Sequence, residues 1–256
     1  MSFTRRVACL VTLSLPLALA ACNDDAPPST RVTDTDYSDV DPATFDPPCP
    51  RTSDAPYVRS ARFGGAEPTW WPREAVEGCL AIAEDHTGTV DLDGEHAILL
   101  RAIATWNEAA TSCGVPLCLV DVGEVDPAQG LGYNSEGPNY NLVTYVADKA
   151  TWDVRNNPSA IAATTYTQVI TSGKLVDADI EVNDGGWRFS DREPVPTDAF
   201  DLEAILLHEL GHVIGFDHTT DRASTMYPSE NQSSATARRG LSEADVIGVC
   251  EAFACY

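Results

Sequence analysis

The chain has 256 residues, enough for one domain with a sizeable core even after a leader or tail is set aside. Its formal charge at pH 7 is −23, and no basic block follows the first few residues. That balance argues against nucleic-acid binding, which needs a cationic footprint, and argues for solubility more than for a basic substrate.

The first element is a targeting pattern. Arg5 and Arg6 form a positive start, and Val7 to Ala20 form an apolar stretch too short to remain as a membrane-spanning helix. The run Leu19-Ala20-Ala21-Cys22 resembles a bacterial lipobox. The resemblance implies that residues 1–21 are a lipoprotein signal peptide and that Cys22 carries the lipid. The protein is then exported and anchored to a bacterial membrane, on the outer or periplasmic side, or released from it. An ordinary secretory signal cut near the same place is the alternative.

Residues 22–60 are rich in Asp, Pro, Ser and Thr and poor in apolar residues, so they cannot bury enough surface to fold alone. They read as a tether, with a short pro-segment as the other option. A folded domain follows over 61–256. Strands are expected at Leu80–Glu84, Leu117–Val122, Asn141–Val146, Ala160–Thr167 and Val176–Val182. Ala97, Ile98, Arg101, Ala102, Thr105 and Trp106 recur at helical spacing and predict a helix over Asp91–Ala110, with Asp93 as a plausible cap. Asp126–Tyr140 is Gly- and Asn-rich and reads as a loop. A proline-bearing connection, Arg192–Thr197, leads into a helix at Ala199–Val213, and a last helix spans Ser242–Phe253. Strands early and helices late argue an α+β fold.

Beyond Cys22 the cysteines are Cys49, Cys79, Cys113, Cys118, Cys250 and Cys255. An even number in an exported chain points to disulfides. Closeness in sequence suggests Cys113–Cys118 and Cys250–Cys255, which leaves Cys49 with Cys79.

Chemistry concentrates in His208 to His218, which read H-E-L-G-H-V-I-G-F-D-H. His208 and His212 are one helical turn apart and can reach one metal. Glu209 lies beside them as a candidate base. Gly215 supplies the backbone freedom that ends the helix and turns the chain back, so that His218 can be the third ligand. Three protein nitrogens leave one tetrahedral position for water, the pattern of a catalytic zinc. A buried helix packed on the core would explain the His pair, but it would not call for Glu209, Gly215 and His218 as well.

This motif resembles that of the metzincins, a clan of zinc endopeptidases. Ser224-Thr225-Met226-Tyr227-Pro228 resembles the clan's Met-turn, and Met226 would floor the metal site. Thr219 after the third histidine, and Leu241-Ser242-Glu243-Ala244-Asp245-Val246-Ile247-Gly248-Val249 near the end, resemble the matrixin branch. The likeness implies a matrixin-like catalytic domain: a twisted, mostly parallel sheet with an antiparallel edge strand, an active-site helix and a C-terminal helix. It also implies that Asp245 bonds backbone near the Met-turn. Substrate would pair with the edge strand at Ile161–Thr165, around Ala162 and Ala163, and Tyr227–Arg239 would wall the pocket beyond the cleaved bond. Protein or peptide hydrolysis by a monomer with one catalytic zinc and Glu209 as general base follows.

The chain departs from the family in several places. No histidine stands between His96 and His208, so a second, histidine-bound zinc is not expected. Asp177, Asp179, Glu181 and Asp184 are candidates for calcium, with solvated acids on an edge strand as the competing reading. Cys49 sits in Pro-Pro-Cys-Pro, which is no cysteine-switch sequence, and Ala244 replaces a frequent Asp. Two rival functions remain: a surface-anchored protein that holds zinc without turnover, against which Glu209 argues, and a zinc hydrolase acting on a non-peptide substrate.

Overall fold

The computed structural model describes residues 56–85, 94–126, 130–137, 139–228 and 238–256, and the backbone alone of 3–4, 9–12, 19–22, 29–33 and 229–231. Asp93 and Cys49 lie outside the described residues, as does the Cys22 side chain. Five strands form the sheet of the folded domain: β1 (Leu80–Glu84), β2 (Leu119–Glu124), β3 (Asn141–Tyr145), β4 (Ala162–Val169) and β5 (Leu175–Val182). Their order is β4-β5-β3-β1-β2. β5, β3, β1 and β2 run parallel, and β4 pairs antiparallel with β5. Two further strands extend the sheet beyond β4. Ser29–Thr33 pairs parallel with it from Thr165 to Val169, and Phe3–Thr4 pairs antiparallel with Ser29–Thr33. Cys9–Thr12, Leu19–Cys22 and Ser229–Asn231 form a small separate sheet.

Among the described residues the helices are α1 (Arg73–Glu77), α2 (Glu95–Cys113), α3 (Lys149–Arg155), α4 (Leu202–Val213) and α5 (Glu243–Phe253). α2 ends on Gly114 at φ 71°, a left-handed cap open to glycine at little cost. α1 and α3 escape the periodicity reading because each is short and buries only one residue, Val76 and Trp152. The signal for α3 is Asp148, whose carboxylate accepts from Thr151 N at 2.9 Å.

α4 is buried along its whole length, packed between the sheet, α2 and the chain on either side of it. Two tryptophans tie it in: Trp106 Nε1 donates to Leu207 O at 2.9 Å, and Trp71 Nε1 to Val213 O at 2.7 Å. Trp106 also stacks on Phe216, with centroids 5.8 Å apart. At the entry to α4, Asp201 accepts from Glu203 N and Ala204 N, and Arg239 Nε reaches both its oxygens at 2.8 and 3.0 Å.

The local disulfide pairing is wrong. Cys79 bonds Cys118, and Cys113 bonds Cys250. Cys79 and Cys118 immediately precede the paired residues Leu80 and Leu119 of parallel strands, which sets their Cα atoms 4.5 Å apart. Cys113 ends α2 on the side where α5 packs, so it meets Cys250. Cys255 is also disulfide-bonded, to a partner that lies outside the described residues.

Non-reducing peptide mapping should recover the Cys79–Cys118 and Cys113–Cys250 fragments. Because the second bond spans 137 residues, Cys250→Ser should lower unfolding free energy by about 2–5 kcal/mol in denaturant titration. A mutant as stable as the parent would mean that α2 and α5 are held by packing alone.

Candidate active site

α4 carries His208, Glu209 and His212. Its cap, Ile214, precedes Gly215 at φ 96°, where Gly215 N closes onto His212 O at 2.9 Å. The chain then reverses into Phe216–Asp217, which pairs antiparallel with Val58–Arg59. Ser60 N donates to Gly215 O at 2.9 Å, Ser60 Oγ to Phe216 O at 3.0 Å, and Arg59 Nη2 to Thr69 O at 2.9 Å. Residues 58–60 therefore strap down the segment that delivers His218.

The three Nε2 atoms lie 3.1, 3.2 and 3.3 Å from one another. Tetrahedral zinc with bonds of about 2.05 Å sets its ligand nitrogens about 3.3 Å apart, so the triangle fits that ion. The outer nitrogens decide the tautomers. His208 Nδ1 lies 2.6 Å from Thr225 O and His212 Nδ1 lies 2.8 Å from Phe216 O. A carbonyl only accepts, so both Nδ1 atoms carry the proton and both Nε2 atoms present lone pairs to the centre. Burial, and then the neighbouring His212, lower the pKa of His208 to about 3, and burial pushes His218 down in the same way. Neutral rings at physiological pH are what a metal requires.

Glu209 is 3% exposed. Burial raises its pKa, opposed by His212 and by a hydrogen bond from Thr164. The shift moves the carboxylate toward the range useful to a general base.

Met226 is buried, and it packs against the helix at Gly211. A Cβ on Gly211 would fall 2.2 Å from Met226 Sδ and 3.0 Å from Trp106 Cζ2. The glycine inside H-E-L-G-H is thus the hole that admits the methionine, a role that the sequence reading missed. Asp245, 4% exposed, holds the turn: Ser224 Oγ donates to its Oδ1 at 2.5 Å and Thr225 N to its Oδ2 at 2.9 Å. Its Oδ2 also accepts from Ser242 N and Ser242 Oγ, both at 2.8 Å, and closes a capping box on α5.

Ala162 and Ala163 lie on β4, buried. Ala162 joins the main core, while Ala163 faces the other way, onto Val146, Trp152 and Ala160. The neighbouring strand Ser29–Thr33 begins opposite Thr165 and leaves these two residues outside its register.

The acidic residues 177–184 do not gather. β5 lies inside the sheet, so its acids are buried rather than solvated, which corrects the edge-strand reading. Asp179 accepts Leu142 N at 3.0 Å and Gly132 N at 2.5 Å, and Glu181 pairs with Arg155. Asp184 sits half-buried in the turn after the strand. Among the described residues, the three histidines are the only group of three or more His, Cys, Asp or Glu side chains whose ligand atoms converge.

The sequence profile of the matrixin family matches residues 74–254, most of the chain. The protein belongs to the matrixin family. Two relatives share shorter stretches with this matrixin. Metalloendoproteinase 1 of Glycine max is 40% identical over 58 residues, 23% of this chain and 18% of the relative. Stromelysin-1 of Equus caballus is 39% identical over 67 residues, 25% of this chain and 14% of the relative. The chain therefore spans less than a fifth of either relative's length in these matches.

Replacing Gly211 by Ala should cost about 1–3 kcal/mol of stability by overpacking against Met226. Combining it with Met226→Ala should recover part of that loss in a double-mutant cycle followed by chemical denaturation. Strictly additive losses would show that the two side chains do not compete for the same space.

Proposed function

We propose that this matrixin is a zinc-dependent endopeptidase that cleaves protein or peptide substrates, with His208, His212 and His218 as metal ligands and Glu209 as general base. The observation that carries the reading is the triangle of Nε2 atoms 3.1–3.3 Å apart, with the tautomers of two rings fixed from behind by carbonyls. Membership of a zinc endopeptidase family supports it.

When bound, zinc supplies Lewis acidity that brings a water toward ionisation near neutral pH and polarises a peptide carbonyl. The chain's own residues do the rest. Glu209 takes the water's proton as attack on the scissile carbonyl begins and returns it to the leaving amine. Its burial raises its affinity for a proton, which suits it to receive one. An extended substrate would lie along β4 at Ala162 and Ala163 and pair through backbone groups, so recognition there depends little on its sequence. Arg239, fixed to Asp201 and to Asp191 O at 2.7 Å, anchors the far end of the segment Tyr227–Arg239 that would wall the pocket beyond the cleaved bond. The chain would act outside the cytoplasm, held at a membrane through lipid on Cys22.

Glu209→Ala should reduce hydrolysis of casein or a quenched-fluorescent peptide by several orders of magnitude while zinc content stays at one ion per chain. A variant with parental activity would eliminate Glu209 as base, and a parent indifferent to chelator would eliminate the metal mechanism. Cys22→Ser should abolish incorporation of labelled fatty acid in a bacterial host, whereas label retained by this variant would place the lipid elsewhere or show none was attached through Cys22.

A further inference from the structure

Thr164 lies on β4, one residue beyond Ala163, and is 1% exposed. Its Oγ1 sits 2.6 Å from Glu209 Oε2 and 3.3 Å from Glu209 O. Both of those oxygens only accept, so the hydroxyl must donate, and the shorter contact falls in the range of a charge-assisted O–H to carboxylate bond. Among the described residues, Glu209 Oε1 takes part in no such bond. One carboxylate oxygen is thus held by the protein and the other is left for chemistry.

The last torsion of a glutamate has no sharp preference of its own. Helix α4 fixes where the Glu209 side chain starts, but not how its carboxylate is rotated. We infer that Thr164 is a positioning residue for the reaction: its hydroxyl clamps Oε2 and thereby sets the direction in which Oε1 meets the proton of the attacking water. The inference rests on the reading of Glu209 as general base. The donor comes from the strand proposed to seat the substrate, so the base is oriented by β4 and not by its own helix.

The test uses the zinc-loaded full chain. Thr164→Val keeps the shape and removes the donor, while Thr164→Ser keeps the donor. Val should lower kcat by about 10- to 100-fold, the worth of a hydrogen bond to a charged group. KM and zinc content should stay near parental values, and Ser should restore most of kcat. Parental kcat in the Val variant, or a Ser variant as slow as Val, would overturn the inference. Should the Val variant not fold, Thr164→Ala removes the same donor and takes its place in the comparison with Ser. Crystal structures of the variants read the carboxylate without relying on turnover. A Glu209 carboxylate rotated in Val but not in Ser supports the clamp, and one unmoved in Val overturns it. If the parent hydrolyses no peptide yet the carboxylate rotates in Val alone, the peptidase reading fails while the clamp stands.

Discussion

Three imidazole nitrogens lie within 3.3 Å of one another, and those of His208 and His212 both present lone pairs to the centre, an arrangement that a cation between them would relieve. Much of the C-terminal third of the chain serves to hold that arrangement. α4 alone supplies two rings, but it does not orient them. Orientation comes from two carbonyls, Phe216 O behind His212 and Thr225 O behind His208. Each carbonyl is fixed by another segment. Phe216 is strapped by Ser60 and stacked on Trp106. Thr225 is held through its own N–H by Asp245, whose carboxylate is shared with the cap of α5. Asp245 and His208 are thus linked through a single residue, Thr225, whose N–H meets one side chain and whose C=O meets the other.

The strand beside the edge shows the same economy with a different group. Between His96 and His208 there is no histidine to gather a second zinc. The loop before β3 is tied instead by Asp179, which takes one amide at Gly132 and another at Leu142, the second residue of β3. A buried carboxylate with two N–H donors is well satisfied. Glu181 spends its charge on Arg155 in α3. These acids knit the outer face of the sheet to what covers it, and burial, not solvation, is why they sit where alternation places them.

Much of the site was legible because its signals are local. The helical spacing of His208 and His212, the glycine at 215 and the lone methionine beyond the leader each state their role within a dozen residues. The capping chemistry of α4 and α5 is likewise local, at Asp201 and Ser242. What escaped is what depends on which elements become neighbours. The disulfides follow from β1 lying beside β2 and α2 beside α5, and spacing along the chain carries no record of that. β5 reads as an edge because its acids alternate with apolar residues. Only the order of the sheet, with β4 outside it, shows that both its edges are paired. Gly211 and Thr164 gain meaning from Met226 and Glu209, each more than a dozen residues away along the chain.

β4 is where these interactions meet. Toward the core, Thr164 bonds the carboxylate of Glu209. Toward α3, Ala163 packs on Trp152 and Ala160. Along its outer edge, backbone groups from Thr165 to Val169 pair with Ser29–Thr33. That polar segment lines up on the edge that β4 offers. A peptide seated at Ala162 and Ala163 would have about two residues of edge, some 7 Å, before meeting this neighbour. A longer substrate must therefore displace Ser29–Thr33 or turn away from the sheet. Thr164, whose hydroxyl bonds the Glu209 carboxylate, stands at that boundary, one residue before the first paired position, Thr165.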